Sequence, residues 1–214
     1  MSVVYDVAVI GGGATGCGVA RDLAMRNLSV VLIERGKLCE GTTGHSHCLL
    51  HSGARYADSD PAGASECAAE NEILKEIGGC CVEETGGYFV QLEGDSAEYF
   101  EEKLEKCQEL GIETKVLDGD DVREREPQVS SRVEKAIKVP DGVIYPSRLV
   151  AANALSAEEH GADIVTGRGV VDIDSTENWN IKLGDGEIRA SHVVNATGAW
   201  AGEVGAMAGV NIDM

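Results

Sequence analysis

The feature that most constrains this chain is a near-continuous apolar run rich in β-branched residues, Val3 to Ile10, that breaks into Gly11-x-Gly13-x-x-Gly16. Such a run reads as a parallel strand buried on both faces. From Ala14 to Asn27 the period becomes helical, with Cys17, Ala20, Leu23 and Ala24 on one face, and Ser29 to Ile33 is a second apolar strand. Together they make a right-handed βαβ unit. Glu34 ends the second strand, 18 residues after Gly16. In this context the glycines point to a dinucleotide site. Gly11 permits the tight turn, Gly13 lets a pyrophosphate approach the backbone, and Gly16 lets helix pack on strand. Ala14 and Thr15 open the helix beside that phosphate site, and Glu34, next to Arg35, can accept hydrogen bonds from a ribose hydroxyl. The alternative, a glycine-rich structural turn, leaves Glu34 without a task. An acid at that position also disfavours a ribose 2′-phosphate, and so NADP.

The choice between FAD and NAD rests further along. Val193-Val194-Asn195-Ala196-Thr197-Gly198-Ala199-Trp200 looks like the second flavoprotein fingerprint, whose strand ends in Ala-Thr-Gly against the FAD. Val170 sits where this superfamily places a valine whose backbone pairs with adenine. A β-hairpin followed by an ordinary strand end is the competing reading.

Between these motifs the chain alternates helix and strand. Lys37 to Tyr56 is a loop or ligand-contacting segment, and helices are expected over Ala62–Ile77, Ala97–Leu110 and from a Ser147 cap to His160. Ala97, Phe100, Leu104 and Cys107 form the apolar face of the second, with charged residues opposite. Strands are expected at Tyr88–Leu92, Thr114–Leu117, Asp163–Val165, Val170–Ile173, Trp179–Leu183, Glu187–Ala190 and His192–Ala196, and Val139–Tyr145 carries a Pro-Asp-Gly turn. The expected architecture is α/β: an FAD-binding dinucleotide (Rossmann-like) fold over 1–78 and 151–214, with part of a second, antiparallel substrate domain over 79–150.

Charge limits the partners. With 37 acids against 18 bases the net charge is −19, which repels nucleic-acid phosphates but not a pyrophosphate held by backbone N–H groups. So acidic a chain suits a salt-rich cytoplasm, where counterions screen self-repulsion. No segment reaches the roughly 18 apolar residues of a membrane span, and a cytoplasmic location is expected. Seven cysteines without a C-x-x-C pair are expected to be reduced, Cys80-Cys81 being two buried thiols rather than a vicinal disulfide.

The stretch Gly41-Thr42-Thr43-Gly44-His45-Ser46-His47-Cys48-Leu49-Leu50-His51-Ser52-Gly53-Ala54-Arg55-Tyr56 closely resembles the flavin-contacting segment of the anaerobic glycerol-3-phosphate dehydrogenase A subunit family, within the D-amino-acid oxidase-like superfamily. The likeness continues through Glu70-Asn71-Glu72-Ile73-Leu74-Lys75, Lys138-Val139-Pro140-Asp141-Gly142 and Ala151-Ala152-Asn153, covering nearly the whole chain as the N-terminal part of that family. His45 departs from the pattern where a basic residue is expected, and Cys48 where a glycine is.

The resemblance implies non-covalent FAD, contacted by Thr42, Thr43, His47, Leu50, His51, Ser52 and Gly53 as well as by the two fingerprints. A related branch tethers FAD through a histidine near the position of His51. Three histidines within seven residues could also suggest a metal, but no carboxylate or cysteine pair completes a tetrahedral set, and flavin contacts are preferred for His47 and His51. The implied reaction is oxidation of sn-glycerol 3-phosphate to dihydroxyacetone phosphate, with electrons passed through partner subunits to a membrane quinone. That gives peripheral membrane association at the inner face of the cell membrane. The implied catalytic residues are His51 as general base, Arg55 on a phosphate or a flavin carbonyl, and Tyr56 to orient substrate. For Arg55 a structural ion pair is the alternative. Family members continue well beyond residue 214 and supply most of the antiparallel sheet. An FAD-binding fragment or assembly module without turnover therefore stays open, as does an amine or amino-acid oxidase of the same superfamily.

Overall fold

The computed structural model describes residues 3–175 and 177–212. Along the chain come β1 (Val4–Ile10), α1 (Ala14–Met25), β2 (Val30–Ile33), β3 (Leu49–Leu50), α2 (Pro61–Ile77), β4 (Val82–Glu83) and β5 (Gly87–Leu92). There follow α3 (Ala97–Glu109), β6 (Lys115–Asp118), α4 (Gly119–Arg125), β7 (Val133–Val139), β8 (Gly142–Ile144) and α5 (Pro146–Glu159). The last are β9 (Asp163–Val165), β10 (Val170–Ser175), β11 (Trp179–Leu183), β12 (Gly186–Asn195) and α6 (Ala201–Met207).

Two compact units result, residues 1–47 with 146–214 and residues 48–145. The boundaries expected from sequence, after residues 78 and 150, fall elsewhere, and the outer ends at residues 1 and 214 lie outside the described residues. The difference has a local cause. Strand β3 pairs with β8, and α2 is tied to the same neighbourhood by Asn71 Nδ2 donating to the Leu50 carbonyl (3.1 Å) and Lys75 Nζ to the Pro140 carbonyl (2.8 Å). Helical periodicity reveals a buried face but not which core receives it.

The first unit is built on a six-stranded sheet of order β10-β11-β12-β1-β2-β9, parallel from β12 to β9 and antiparallel from β10 to β12. All of β2 and the second half of β1 are buried, as strands covered on both faces must be. Val7, Val9, Val30 and Leu32 pack on the small residues Cys17, Ala20 and Ala24 of α1 and on Val150, Ala154 and Ala157 of α5. Ala8, Val31 and Ile33 turn to the other face, with Ile181, Leu183 and Ala190. Asn27, at φ +63, accepts the left-handed conformation that ends α1, so the helix stops before the residue to which its apolar period extends. Ser147 does not cap α5. Pro146 is the first helical residue, where its missing N–H costs nothing, and Ser147 lies in the first turn. The two strands expected over 187–196 are one ten-residue strand, because Ser191 and His192 stay in register with β1 on its parallel side.

The second unit has two three-stranded antiparallel sheets, β3-β8-β4 and β5-β7-β6. Strand β7 and helix α4 carry no clean apolar period because their charged residues face solvent between buried ones, and both escape a periodicity reading. Helix α3 buries Phe100 and Cys107 as its pattern requires, but also Lys103. That ammonium donates to the Ala54 carbonyl and to Asp58 (2.8 Å). Burial alone would push the Asp58 carboxyl up, but the hydrogen bonds and charges of Lys103 and Lys106 outweigh it and hold the group below its ordinary value. Cys81 is buried as expected, whereas Cys80 is exposed at the turn between α2 and β4, their sulfurs 3.2 Å apart.

Candidate functional site

In the first unit the carboxyl ends of β1, β2 and β12 open into a cleft of about 870 Å³. The strand ends are laced together: Gly11 N–H donates to the Ile33 carbonyl and Ala196 N–H to the Ile10 carbonyl, both at 2.8 Å. Gly11 has φ +114, a conformation that a side chain resists, and a Cβ there would strike the Ala196 carbonyl. Gly16 lies below the cleft, where a Cβ would collide with the Gly11 carbonyl oxygen; it is a packing glycine and does not line the space.

Helix α1 points its N-terminus into this cleft with no side-chain cap at Gly13 and no acidic residue in its first turn. The Thr43 hydroxyl accepts the Ala14 N–H at 3.2 Å. Backbone N–H groups at a helix start, free of a carboxylate of their own, make an anion site. Glu34 faces them with its carboxylate already oriented: Oε2 accepts the Gly12 N–H (2.7 Å) and Oε1 the Gly36 N–H (2.8 Å). Each oxygen keeps a lone pair for a ribose hydroxyl.

Opposite, Asn195 holds the Ala-Thr-Gly turn. Its Oδ1 accepts the Thr197 hydroxyl (2.7 Å) and its Nδ2 donates to the Ala201 carbonyl (2.9 Å). Gly198 follows at φ +58, and the Arg35 guanidinium stacks 4.0 Å above the Trp200 ring, both lining the cleft. Val170 begins β10 at the same rim, next to a break in its register with β11. Thus Gly11, Gly13, Ala14, Thr15, Glu34, Arg35, Thr42, Thr43, Val170, Ala196, Thr197, Gly198 and Trp200 meet around one space, whereas His47 is exposed and does not line it. Gly12, Asn195 and Arg168, the last paired with Asp185, were not singled out by sequence; only the spacing between the glycines could have marked Gly12.

This chain matches the FAD dependent oxidoreductase family over residues 6–214. It belongs to that family. The A1 subunit of the anaerobic glycerol-3-phosphate dehydrogenase of Haloferax volcanii and the A subunit of the enzyme so named in Escherichia coli K12 are 52% and 43% identical to it, each over 98% of this chain. The chain spans 39% and 40% of their lengths. Among solved structures, the L-proline dehydrogenase of P. horikoshii superposes with a TM-score of 0.85 at 26% identity, covering all of this chain and 58% of the other. The cleft is suited to the cofactor of an FAD dependent oxidoreductase: a helix start with no acid in its first turn, for the pyrophosphate, and an oriented carboxylate, for the ribose, line the same space.

The remaining residues anticipated from the family pattern lie in the second unit and are not among those lining the cleft. Leu50 and Ser52 are buried, and Gly53, at φ +89, admits the turn Ala54–Tyr56 against the Ala64 carbonyl. The His51 ring meets Tyr56 edge-on at 6.1 Å, and its Nδ1 lies 3.3 Å from an Asp141 carboxylate oxygen. Arg55 is exposed and forms no hydrogen bond or ion pair among the described residues. Asp141 was read as a turn residue within the Lys138–Gly142 stretch of the resemblance; the Pro-Asp-Gly spacing gives no sign of its contact with His51.

Cys48, which replaces an expected glycine, has φ +62. Cys48→Gly should hold or raise the melting temperature, whereas the β-branched Cys48→Val should cost roughly 1–3 kcal/mol in thermal unfolding. Equal losses from both variants would remove the strain explanation.

Proposed function

We propose that this chain is the FAD-binding and alcohol-oxidising part of a glycerol-3-phosphate dehydrogenase that converts sn-glycerol 3-phosphate to dihydroxyacetone phosphate. The observation that carries the proposal is the likeness, 52% and 43% over 98% of the chain, to proteins named for that activity. FAD, when bound without a covalent link, supplies the two-electron acceptor for the hydride of the carbinol carbon. The chain's own residues supply the rest. The start of α1 and Glu34 hold the dinucleotide, Arg55 offers a planar cation to a phosphate or to the flavin, Tyr56 orients the substrate, and His51 takes the hydroxyl proton. The relatives' names designate one subunit of a larger enzyme, which supports partner subunits; in this proposal those subunits carry electrons onward to a quinone and hold the protein at the inner face of the cell membrane.

A second reading, an oxidase of amines or amino acids, draws on the superposition with L-proline dehydrogenase. Anaerobic mixing of the full-length, FAD-loaded protein with candidate substrates separates the two. Bleaching of the flavin by glycerol 3-phosphate is the expected result. Bleaching by a D-amino acid or an N-methyl amine alone would overturn it in favour of the oxidase, and bleaching by neither would leave an FAD-binding module.

A further inference from the structure

We propose that Asp141 is the positioning residue for His51, fixing the imidazole as its Nδ1–H tautomer so that Nε2 is the atom that accepts the substrate's proton. The proposal rests on the alcohol-oxidising function given above and adds a residue to it.

The placement follows from register. Leu50 of β3 pairs with Gly142 of β8 in an antiparallel ladder, which sets the next residue, His51, beside the preceding one, Asp141. The carboxylate cannot turn away. Its Oδ1 accepts both the Ser52 N–H (2.7 Å) and the Ser52 hydroxyl (2.6 Å), leaving Oδ2 toward His51 Nδ1 at 3.3 Å. Backbone contacts hold the turn itself: Lys75 Nζ donates to the Pro140 carbonyl and Gly86 N–H to the Asp141 carbonyl at 3.0 Å. Gly87 provides the room, since a Cβ there would lie 3.0 Å from that of Asp141. Both side chains are nearly buried, at 13% and 11% exposure, so the carboxylate meets little competition from water. A separation of 3.3 Å is long for a charge-assisted bond and suits a contact that tightens when substrate binds.

A carboxylate accepts only, so the proton of neutral His51 resides on Nδ1 and the lone pair on Nε2. In the oxidation the O–H bond breaks with its proton going to Nε2. Its electron pair forms the C=O bond as hydride leaves carbon for the two-electron acceptor. The imidazolium so formed is stabilised by Asp141, as a buried carboxylate does for a catalytic histidine. A residue that merely shaped the turn would need only Oδ1 on Ser52.

Two-bond ¹H–¹⁵N correlation spectra of the 214-residue chain read the tautomer directly. Wild type is expected to show Nδ1–H at His51, Ser52→Ala to keep it, and Asp141→Asn, whose amide nitrogen faces Nδ1, to switch it to Nε2–H. In the full-length protein Asp141→Asn should slow flavin reduction on the order of 100- to 1000-fold while the apparent substrate affinity moves less than about threefold. An Nε2–H tautomer in the wild type overturns the proposal even if the variant does not fold, and so does an Asp141→Asn protein with undiminished rate. Failure of the glycerol 3-phosphate reading looks different: the wild type is then not reduced by that substrate, while the tautomer spectra are as expected.

Discussion

Gly13→Val protein is expected to purify folded and colourless, and Gly16→Val not to fold. The two glycines belong to one motif but face different things. A Cβ on Gly13 meets only the Thr43 hydroxyl, at 3.0 Å, and that side chain can rotate away. The valine methyls then project over the start of α1, into the space a pyrophosphate needs. We expect FAD affinity to fall roughly a thousandfold, about 4 kcal/mol, with little change in the thermal melt. A Cβ on Gly16 instead collides with the Gly11 carbonyl, in a strand end fixed by the Gly11 bond to Ile33. Neither backbone can yield without unlacing β1 from β2. The cost, on the order of 3 kcal/mol or more, is a large part of a typical domain's stability. Flavin absorbance after reconstitution and circular dichroism melts measure both effects, and Gly13→Val protein that keeps FAD near wild-type affinity would contradict the assignment of the cleft.

Arg55→Ala should cost about 2 to 4 kcal/mol in kcat/KM for glycerol 3-phosphate in the full-length enzyme, the range for a charge-assisted contact at a reacting site. Stability should hardly move, within about 0.5 kcal/mol, because the exposed guanidinium has no partner among the described residues to lose. Its turn, by contrast, is firmly held. Tyr56 N–H donates to the Gly53 carbonyl at 2.9 Å, and the Ala54 carbonyl accepts from buried Lys103. An exposed cation on a held backbone is open to a ligand. Arg55→Lys should recover part of the loss, since an ammonium keeps the charge but not the planar fork. Plain glycerol separates the roles: a loss seen only with glycerol 3-phosphate assigns Arg55 to the phosphate, and an equal loss with both alcohols assigns it to the flavin. No loss with either would remove Arg55 from the site.

The dinucleotide cleft was legible in the sequence because each of its parts is set by neighbours close in the chain. Gly11 to Gly16 encode a turn and a helix start, Glu34 ends the adjoining strand, and Ala196-Thr197-Gly198 ends another. What stayed hidden depends on contacts between distant segments. Asp141 reaches His51 only through the pairing of β3 with β8, which are two and three residues long and carry no periodic signal. Lys103 looks like any charged residue of an amphipathic helix until the Ala54 carbonyl and Asp58 are brought to it. The segments that resemble the family, Glu70–Lys75 and Lys138–Gly142, meet at the Lys75 bond to Pro140. That contact supplies a physical reason for both.

The first unit is assembled from two stretches of chain separated by the whole of the second, and this fixes an order of events during synthesis. Strand β1 leaves the ribosome well before its parallel partner β12, which follows only after the whole of the second unit. Until then one edge of a largely apolar strand lacks its β12 partner, and the entropy of closing so long a loop opposes any early encounter. The uninterrupted stretch 48–145 faces no such wait and can reach its own contacts first. The nascent dinucleotide half is thus the part exposed to chaperones and to misassociation.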